Sequence, residues 1–285
     1  MQQQDTLTAQ QPRELKELLE LATEGARRGA EILRTHFRQV TMSHADVKGV
    51  SDYVSLVDRD SETAIRDFLI RELPGSVFLG EEMGQANHGG EYRWIVDPLD
   101  GTTNYLQGFP VFAVSVGLEK AVADHRWGDI VVGAVIHPLT EEIWTAVRGQ
   151  GAWKDGRPIH VGHKDKLAQA MLGTGFPYRA KDLFRIYLDS LEAFSLRCSG
   201  IRRPGAAALD LCWTADGTFD GFWEHNLSPW DIAAGSLIIE EAGGIFTDFH
   251  GERNFFDSGN VVGANPPLHP QMLEIIQDAF GRAPA

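Results

Sequence analysis

Two cysteines in 285 residues, Cys198 and Cys212, are too few for a disulfide-stapled scaffold, and a pair this far from any His/Cys spacing makes no zinc site. Both are expected to be reduced, buried and structural. Apolar runs long enough to span a bilayer are missing too, which excludes a helical membrane anchor and, with no secretory leader pattern at the start, points to the cytoplasm. Positive charge is scarce: 26 Lys and Arg stand against 40 Asp and Glu, a formal net charge of -14, and no basic cluster offers a stripe that could track phosphates. Direct nucleic-acid binding is therefore not expected. Internal repeats and low-complexity segments are lacking as well. What remains, with 43% hydrophobic residues, is a chain able to bury a substantial core as one large domain or two intimate halves.

The most informative stretch is Trp94-Ile-Val-Asp97-Pro-Leu-Asp100-Gly-Thr102-Thr103-Asn-Tyr105. An apolar run reads as a short buried strand, ended by Pro98 and Gly101, with Asp97 and Asp100 at its C-terminal end beside two hydroxyls. Hard cations take such oxygen ligands. A bare Asp-x-x-Asp-Gly is equally an Asp-rich turn whose side chains bond nearby amides.

In chain order, Met1 to Gln11 reads as a polar tail, and apolar residues at helical spacing from Leu15 to Leu33 predict one long amphipathic helix from Pro12 to about Phe37. A second helix is expected from Ser61 to Leu73, capped by Asp60 or Ser61. Pro74-Gly75 breaks it, and a strand over 76–80 delivers Glu81 and Glu82, before a surface loop over 85–91. Strands near 113–119, 129–137 and 142–147, with a hairpin turn at Lys154-Asp155-Gly156, predict a mostly antiparallel sheet. Beyond it, strands near 170–173, 197–201 and 219–223 alternate with helices near 183–194, from Gly205 and over 231–241, which is α/β layering. Closing strands near 245–248 and 260–264 and a last helix over 270–280 complete the pattern.

The full string Asp97-Pro-Leu-Asp100-Gly-Thr102-Thr-Asn resembles the central metal motif of the inositol monophosphatase family, the Mg2+-dependent, lithium-sensitive sugar phosphatases. Other segments match that family in order: Lys48 to Asp58, Gly80-Glu81-Glu82, Gly205-Ala-Ala207-Ala-Leu-Asp, and Glu224 to Trp230-Asp231-Ile-Ala-Ala-Gly235. The resemblance implies the αβαβα sugar-phosphatase fold: a tail over 1–12 and one domain over 13–285, with closely packed αβ halves of about 13–155 and 156–285. It implies a homodimer, two or three Mg2+ ions, and a small phosphorylated polyol or sugar as substrate, inositol 1-phosphate first. Relatives also act on fructose 1,6-bisphosphate, histidinol phosphate, NADP or phosphoadenosine phosphate; Asn104-Tyr105 is more like the inositol monophosphatase branch than the nucleotide branch. Some bacterial relatives assist RNA processing by contacting transcription factors, which leaves a partner-binding role as a reading of another class.

By the same resemblance, Glu81, Asp97 and the carbonyl of Leu99 hold a metal that activates water, and Asp97, Asp100 and Asp231 hold one facing the leaving group. Thr102 orients the water and Asp58 bonds Thr102. The amides of Gly101 and Thr102 hold phosphate oxygens, Glu224 binds sugar hydroxyls, and Ala207 lines the sugar pocket. Taken singly, each residue has a plainer role: Glu81 a solvated loop acid, Asp231 a charge at a helix N-terminus, Glu224 a strand-end surface residue, Asp58 a helix cap, Lys48 an exposed cation, Trp94 and Trp230 core. His137 and His225 lie where they could touch substrate. Ala206 stands where many relatives carry Ser or Thr, and His225 to Pro229 is this chain's own version of a variable segment, so specificity is expected there.

Two other hydrolase patterns fail on residue identity. Val57-Asp58-Arg-Asp60-Ser-Glu62 puts Glu where a haloacid-dehalogenase-type motif needs Thr or Val, and Ala113-Val-Ser115-Val-Gly117 lacks the first glycine of a serine-hydrolase elbow.

Overall fold

The computed structural model of the chain describes residues 4–41, 46–49, 52–54, 56–86, 89–122, 127–178 and 181–280. The N-terminal half opens with α1 (Gln4–His36), a two-stranded antiparallel ribbon of β1 (Asp46–Gly49) and β2 (Asp52–Val54), and α2 (Leu56–Glu72). Then come β3 (Val77–Gly80), β4 (Gly84–Ala86), β5 (Tyr92–Asp100), α3 (Thr102–Leu106), β6 (Ala113–Ala121), β7 (Trp127–Ile136), β8 (Ile143–Val147), β9 (Gly151–Lys154) and β10 (Arg157–Pro158). The strands from β3 onward form an eight-stranded sheet of order β10-β9-β8-β7-β6-β5-β3-β4, antiparallel except where β3 runs parallel to β5. Asp155 and Gly156, both at positive φ (49° and 73°), make the tight turn between β9 and β10 that Asp-Gly predicts.

The second half contains β11 (Met171–Thr174), α4 (Phe184–Ser195), β12 (Gly200–Arg202), α5 (Ala207–Ala215), β13 (Gly221–Glu224), α6 (Pro229–Glu241), β14 (Ile245–Thr247), α7 (Phe255–Ser258), β15 (Val261–Ala264) and α8 (His269–Phe280). Its five-stranded sheet has the order β12-β11-β13-β15-β14 and is mixed, β11 parallel to both its neighbours.

Alternation along β5 shows how the layers stack. Trp94 and Val96 face a core shared with α1 and α2, while Ile95 faces the opposite core, built on α5 and α6. A strand covered on both faces reads as the continuous apolar run seen in the sequence. The α5–α6 layer in turn packs on Phe222, Phe246 and Val261 of the second sheet, whose far face, with Trp223 and Val262, buries Phe194 of α4 and Met272 of α8. The order is thus helices, sheet, helices, sheet, helices, as the resemblance implies. In the middle layer α6 is buried from Ile232 to Ile239, and it approaches the first sheet so closely that a Cβ on Gly117 would sit 2.9 Å from Ala233 Cβ.

Several boundaries differ from expectation. Helix α1 continues back to Gln4, through residues read as a tail; Gln, Thr, Leu and Ala there include no glycine to stop it. Helix α2 starts at Leu56, because Val57, Ser61, Ile65, Phe68 and Leu69 form one buried stripe. Asp58 is consequently in its first turn, and Asp60 and Ser61 are interior positions and not caps. Pro98 does not end β5: the pairing with β6 shifts between Asp97 and Asp100, and an irregularity of this kind tolerates a residue without an N–H. Part of the expected loop over 85–91 forms the edge strand β4, and Cys198 is half-buried, not buried like Cys212. Lys48 lies on β1, with its side chain outside the described residues.

Candidate metal and active site

The shift in β5 has a chemical consequence. It turns Asp97 and Asp100, three residues apart, toward one point, where Asp231 from the first turn of α6 joins them. One carboxylate oxygen from each of the three lies within 4.8 Å of the others. Asp97 is 1% exposed and Asp100 8%. Each carboxylate is also oriented by a backbone amide: Asp97 Oδ1 accepts from Leu99 N (3.0 Å), Asp100 Oδ2 from Ala208 N (2.7 Å) and Asp231 Oδ2 from Ser228 N (2.7 Å). Asp231 therefore has both roles open to it in the sequence, completing a capping box at the start of α6 and facing the cluster.

Burial, followed by the charges of Glu81, Asp100 and Asp231, pushes the Asp97 carboxyl well above the ordinary carboxylate range. A buried oxygen donor raised in this way by the acidic groups around it fits a site for a hard divalent cation, which would relieve both the repulsion and the cost of burial. Glu81 follows β3 and is the largest of the neighbouring charges on Asp97, although it is not one of the three residues within 4.8 Å.

These carboxylates form one wall of a cavity of about 450 Å3 between the two sheets. Leu99, Gly101, Thr102 and Ala207 line it as well, and Glu224, at the end of β13, stands among them, so all the cavity residues singled out in the sequence meet there. Asp58 lies behind them, fully buried, with the Thr102 hydroxyl 3.3 Å from its Oδ1 and 3.1 Å from the Leu99 carbonyl. Gly101, at φ 92°, caps the short α3; a Cβ there would meet carbonyl oxygens of Val111 and Gly205 at 3.1 and 3.2 Å.

Other residues fall differently. Asn104 reaches the carbonyls of Val111 (2.8 Å) and Pro204 (2.9 Å), tying the metal loop to the loop before α5. His137 is not a cavity residue: it is buried beside Phe112, bonded to the Pro110 carbonyl, with its pKa lowered chiefly by burial. His225 does line the cavity, its ring near Tyr187 and Phe280. Trp94 is fully buried, and Trp230 packs against the α5–α6 core.

The sequence reading missed three features. Gly175-Phe176-Pro177-Tyr178 forms the wall near Glu224, and a Cβ on Gly175 would lie 1.8 Å from Glu224 Oε1. Arg203 lines the same wall, its guanidinium over the rings of Phe176 (5.4 Å) and Tyr178 (5.1 Å). It shares the cavity lining with five carboxylates, Glu81, Asp97, Asp100, Glu224 and Asp231. The third, Asp210 of α5, closes the segment Gly205-Ala-Ala-Ala-Leu-Asp, where the sequence reading gives it no role; it is 1% exposed with no partner for Oδ1, and burial together with Glu224 and Asp100 pushes its carboxyl well up. The signal for Asp210 was present as a lone acid in an apolar helical run; the Arg203 platform has no local signature.

Comparison with known proteins agrees with this geometry. The model of the inositol monophosphatase family matches residues 14–280. A protein of Aquifex aeolicus named fructose-1,6-bisphosphatase/inositol-1-monophosphatase is 40% identical over 261 residues, covering 92% of this chain and 96% of the relative. A putative Nus factor SuhB of Neisseria meningitidis serogroup B is 42% identical, covering 90% and 97%. The crystal structure of the extragenic suppressor protein suhB of Bartonella henselae superposes with a TM-score of 0.85 at 36% identity, covering 92% of this chain and 98% of that one. With its layered fold, its acidic cluster and a match that runs almost from end to end, the chain belongs to the inositol monophosphatase family and is a phosphatase.

Proposed function

We propose that the chain is a Mg2+-dependent phosphomonoesterase acting on a small polyol or sugar monophosphate, inositol 1-phosphate first. The observation that carries this reading is the convergence of Asp97, Asp100 and Asp231 within 4.8 Å, in a cavity whose other wall holds Glu224. Phosphate monoesters hydrolyse extremely slowly unaided, because the anionic ester repels nucleophiles and the alkoxide leaves poorly. Asp97, Asp100, Asp231, Glu81 and the Leu99 carbonyl would hold the ions. When bound, Mg2+ supplies a water of lowered pKa and charge to balance the leaving oxygen.

The chain's own groups act around that centre. The Thr102 hydroxyl, within reach of Asp58 and the Leu99 carbonyl, orients the attacking water, and the buried Asp58 carboxylate fixes the direction of the Thr102 proton. The amides of Gly101 and Thr102 hold phosphate oxygens. Glu224 accepts hydroxyls of the polyol while Ala207 packs against its ring. Arg203 supplies cationic side-chain charge to an acidic cavity and favours an anionic substrate over a neutral one.

Phosphate release from inositol 1-phosphate, fructose 1,6-bisphosphate, histidinol phosphate, NADP and phosphoadenosine phosphate, with and without Mg2+ and with added Li+, tests the proposal. The expected result is Mg2+-dependent, Li+-inhibited turnover, fastest on inositol 1-phosphate; far faster turnover of histidinol phosphate or phosphoadenosine phosphate would refute the substrate assignment. The resemblance also supports a homodimer, which light scattering reads directly.

A second reading is favoured by the Nus factor name of the Neisseria relative: a partner-binding role in RNA processing alongside catalysis. Complementation of a deletion strain by Asp100→Asn would support it. Loss of complementation with that variant would leave the phosphatase reading alone.

A further inference from the structure

Three residues on one face of α2, Asp58, Ser61 and Glu62, are all 0% exposed although two are carboxylates. Each reaches a different part of the metal site. Asp58 accepts from the Thr102 hydroxyl (3.3 Å), Ser61 Oγ donates to the Pro98 carbonyl (3.0 Å), and Glu62 accepts from the amides of Glu82 (Oε2, 2.8 Å) and Met83 (Oε1, 3.1 Å). Pro98 lies inside the irregularity that brings Asp97 to Asp100, and Glu82 directly follows Glu81. The hydrogen bonds from Ser61 and Glu62 go to backbone groups of these two segments and not to the ligand side chains themselves.

A buried carboxylate is expensive unless its lone pairs are filled, and the turn after Glu81 presents two amides to those of Glu62. The same two bonds tie the turn to α2 at the residues directly after Glu81. Gly80 leaves the passage, since a Cβ there would lie 1.8 Å from Glu62 Oε1. From behind, α1 approaches so closely that a Cβ on Gly29 would be 2.7 Å from Ser61 Oγ, which pins the hydroxyl against β5.

We propose that Ser61 and Glu62 are positioning residues that register the Glu81 turn and the Asp97–Asp100 irregularity against each other, and so set the affinity of the centre for its divalent metal. The proposal rests on the metal reading of the cavity. Groups that orient ligands in this way typically govern metal affinity by roughly ten- to a hundredfold.

The test is isothermal titration of Mg2+ into the chelator-stripped full chain, with Glu62→Gln and Ser61→Ala beside the native protein, and the Mg2+ dependence of phosphate release measured in parallel. Glu62→Gln turns one acceptor into a donor facing a backbone N–H; Ser61→Ala removes one hydroxyl at almost constant volume and serves if the first variant does not fold. The expected result is a Mg2+ Kd raised roughly tenfold or more in Glu62→Gln and by less in Ser61→Ala, with kcat at saturating Mg2+ within a few-fold of native. A lowered Tm with an unchanged Kd would make both residues merely structural and overturn the proposal alone. No Mg2+ binding by the native chain would overturn the metal reading and the proposal together.

Discussion

Asp100 Oδ2 accepts a hydrogen bond of 2.7 Å from the amide of Ala208, so a carboxylate of the acidic cluster on β5 is oriented by the first turn of α5, 108 residues further along the chain. The site is completed only when the two halves meet. Asp97 and Asp231 are held by amides of their own segments, which makes Asp100 the member of the trio that reports on the packing of the halves.

Asn and Ala at position 100 should therefore fail differently. Asp100→Asn keeps an oxygen that can accept from Ala208 but loses the charge, so turnover should fall by orders of magnitude with stability nearly native. Asp100→Ala also leaves a buried N–H unpaired and should cost about 1–3 kcal/mol more. Steady-state turnover and urea unfolding of the two variants separate the effects.

Mg2+ should stabilise the folded chain, and increasingly so as pH rises. The Asp97 carboxyl is raised in the fold above its ordinary value of 3.8, so its contribution to stability is full below that value and is lost as pH climbs through the raised one. Bound cation removes the penalty. The gap in Tm between Mg2+-loaded and stripped protein should widen from pH 5 to pH 8; ligand at a hundred times its Kd adds about 2.7 kcal/mol.

Thr102→Ser should retain most activity and Thr102→Val lose roughly a hundredfold or more in kcat, since only the hydroxyl can bridge the attacking water to Asp58 or the Leu99 carbonyl. Single-turnover rates check this. A Val variant as fast as native would remove Thr102 from the mechanism.

Gly175→Ala should behave as a binding variant. The new Cβ, 1.8 Å from the present position of Glu224 Oε1, forces that carboxylate aside. KM should rise for the preferred substrate, as in Glu224→Gln, with kcat little changed and about 1–3 kcal/mol of stability lost to overpacking. An unaltered KM in both variants would detach Glu224 from substrate.

Elements with a local cause were legible in the sequence: the Asp155-Gly156 turn, the amphipathic stripe of α1, and the apolar run of β5. The layered order and the meeting of Asp231 with Asp97 came from the family resemblance, since periodicity cannot say which strands or helix ends become neighbours. Pro98 misled because its local preference to end a strand was outweighed by the register shift beside it. The start of α2 was hidden by Asp60-Ser61, a good cap in isolation, whose serine is instead spent on the Pro98 carbonyl. Arg203 and the Phe176–Tyr178 platform meet only through tertiary contact, and no spacing in the chain could have paired them.

The central claim is that this acidic cluster hydrolyses a phosphate monoester through bound Mg2+, and the most direct test is phosphate release from inositol 1-phosphate by the native chain with Mg2+, by the same protein after chelation, and by Asp100→Asn. The account predicts turnover in the first, none in the second until Mg2+ is returned, and a loss of orders of magnitude in the third. Turnover that survives chelation, or that Asp100→Asn leaves intact, would contradict it.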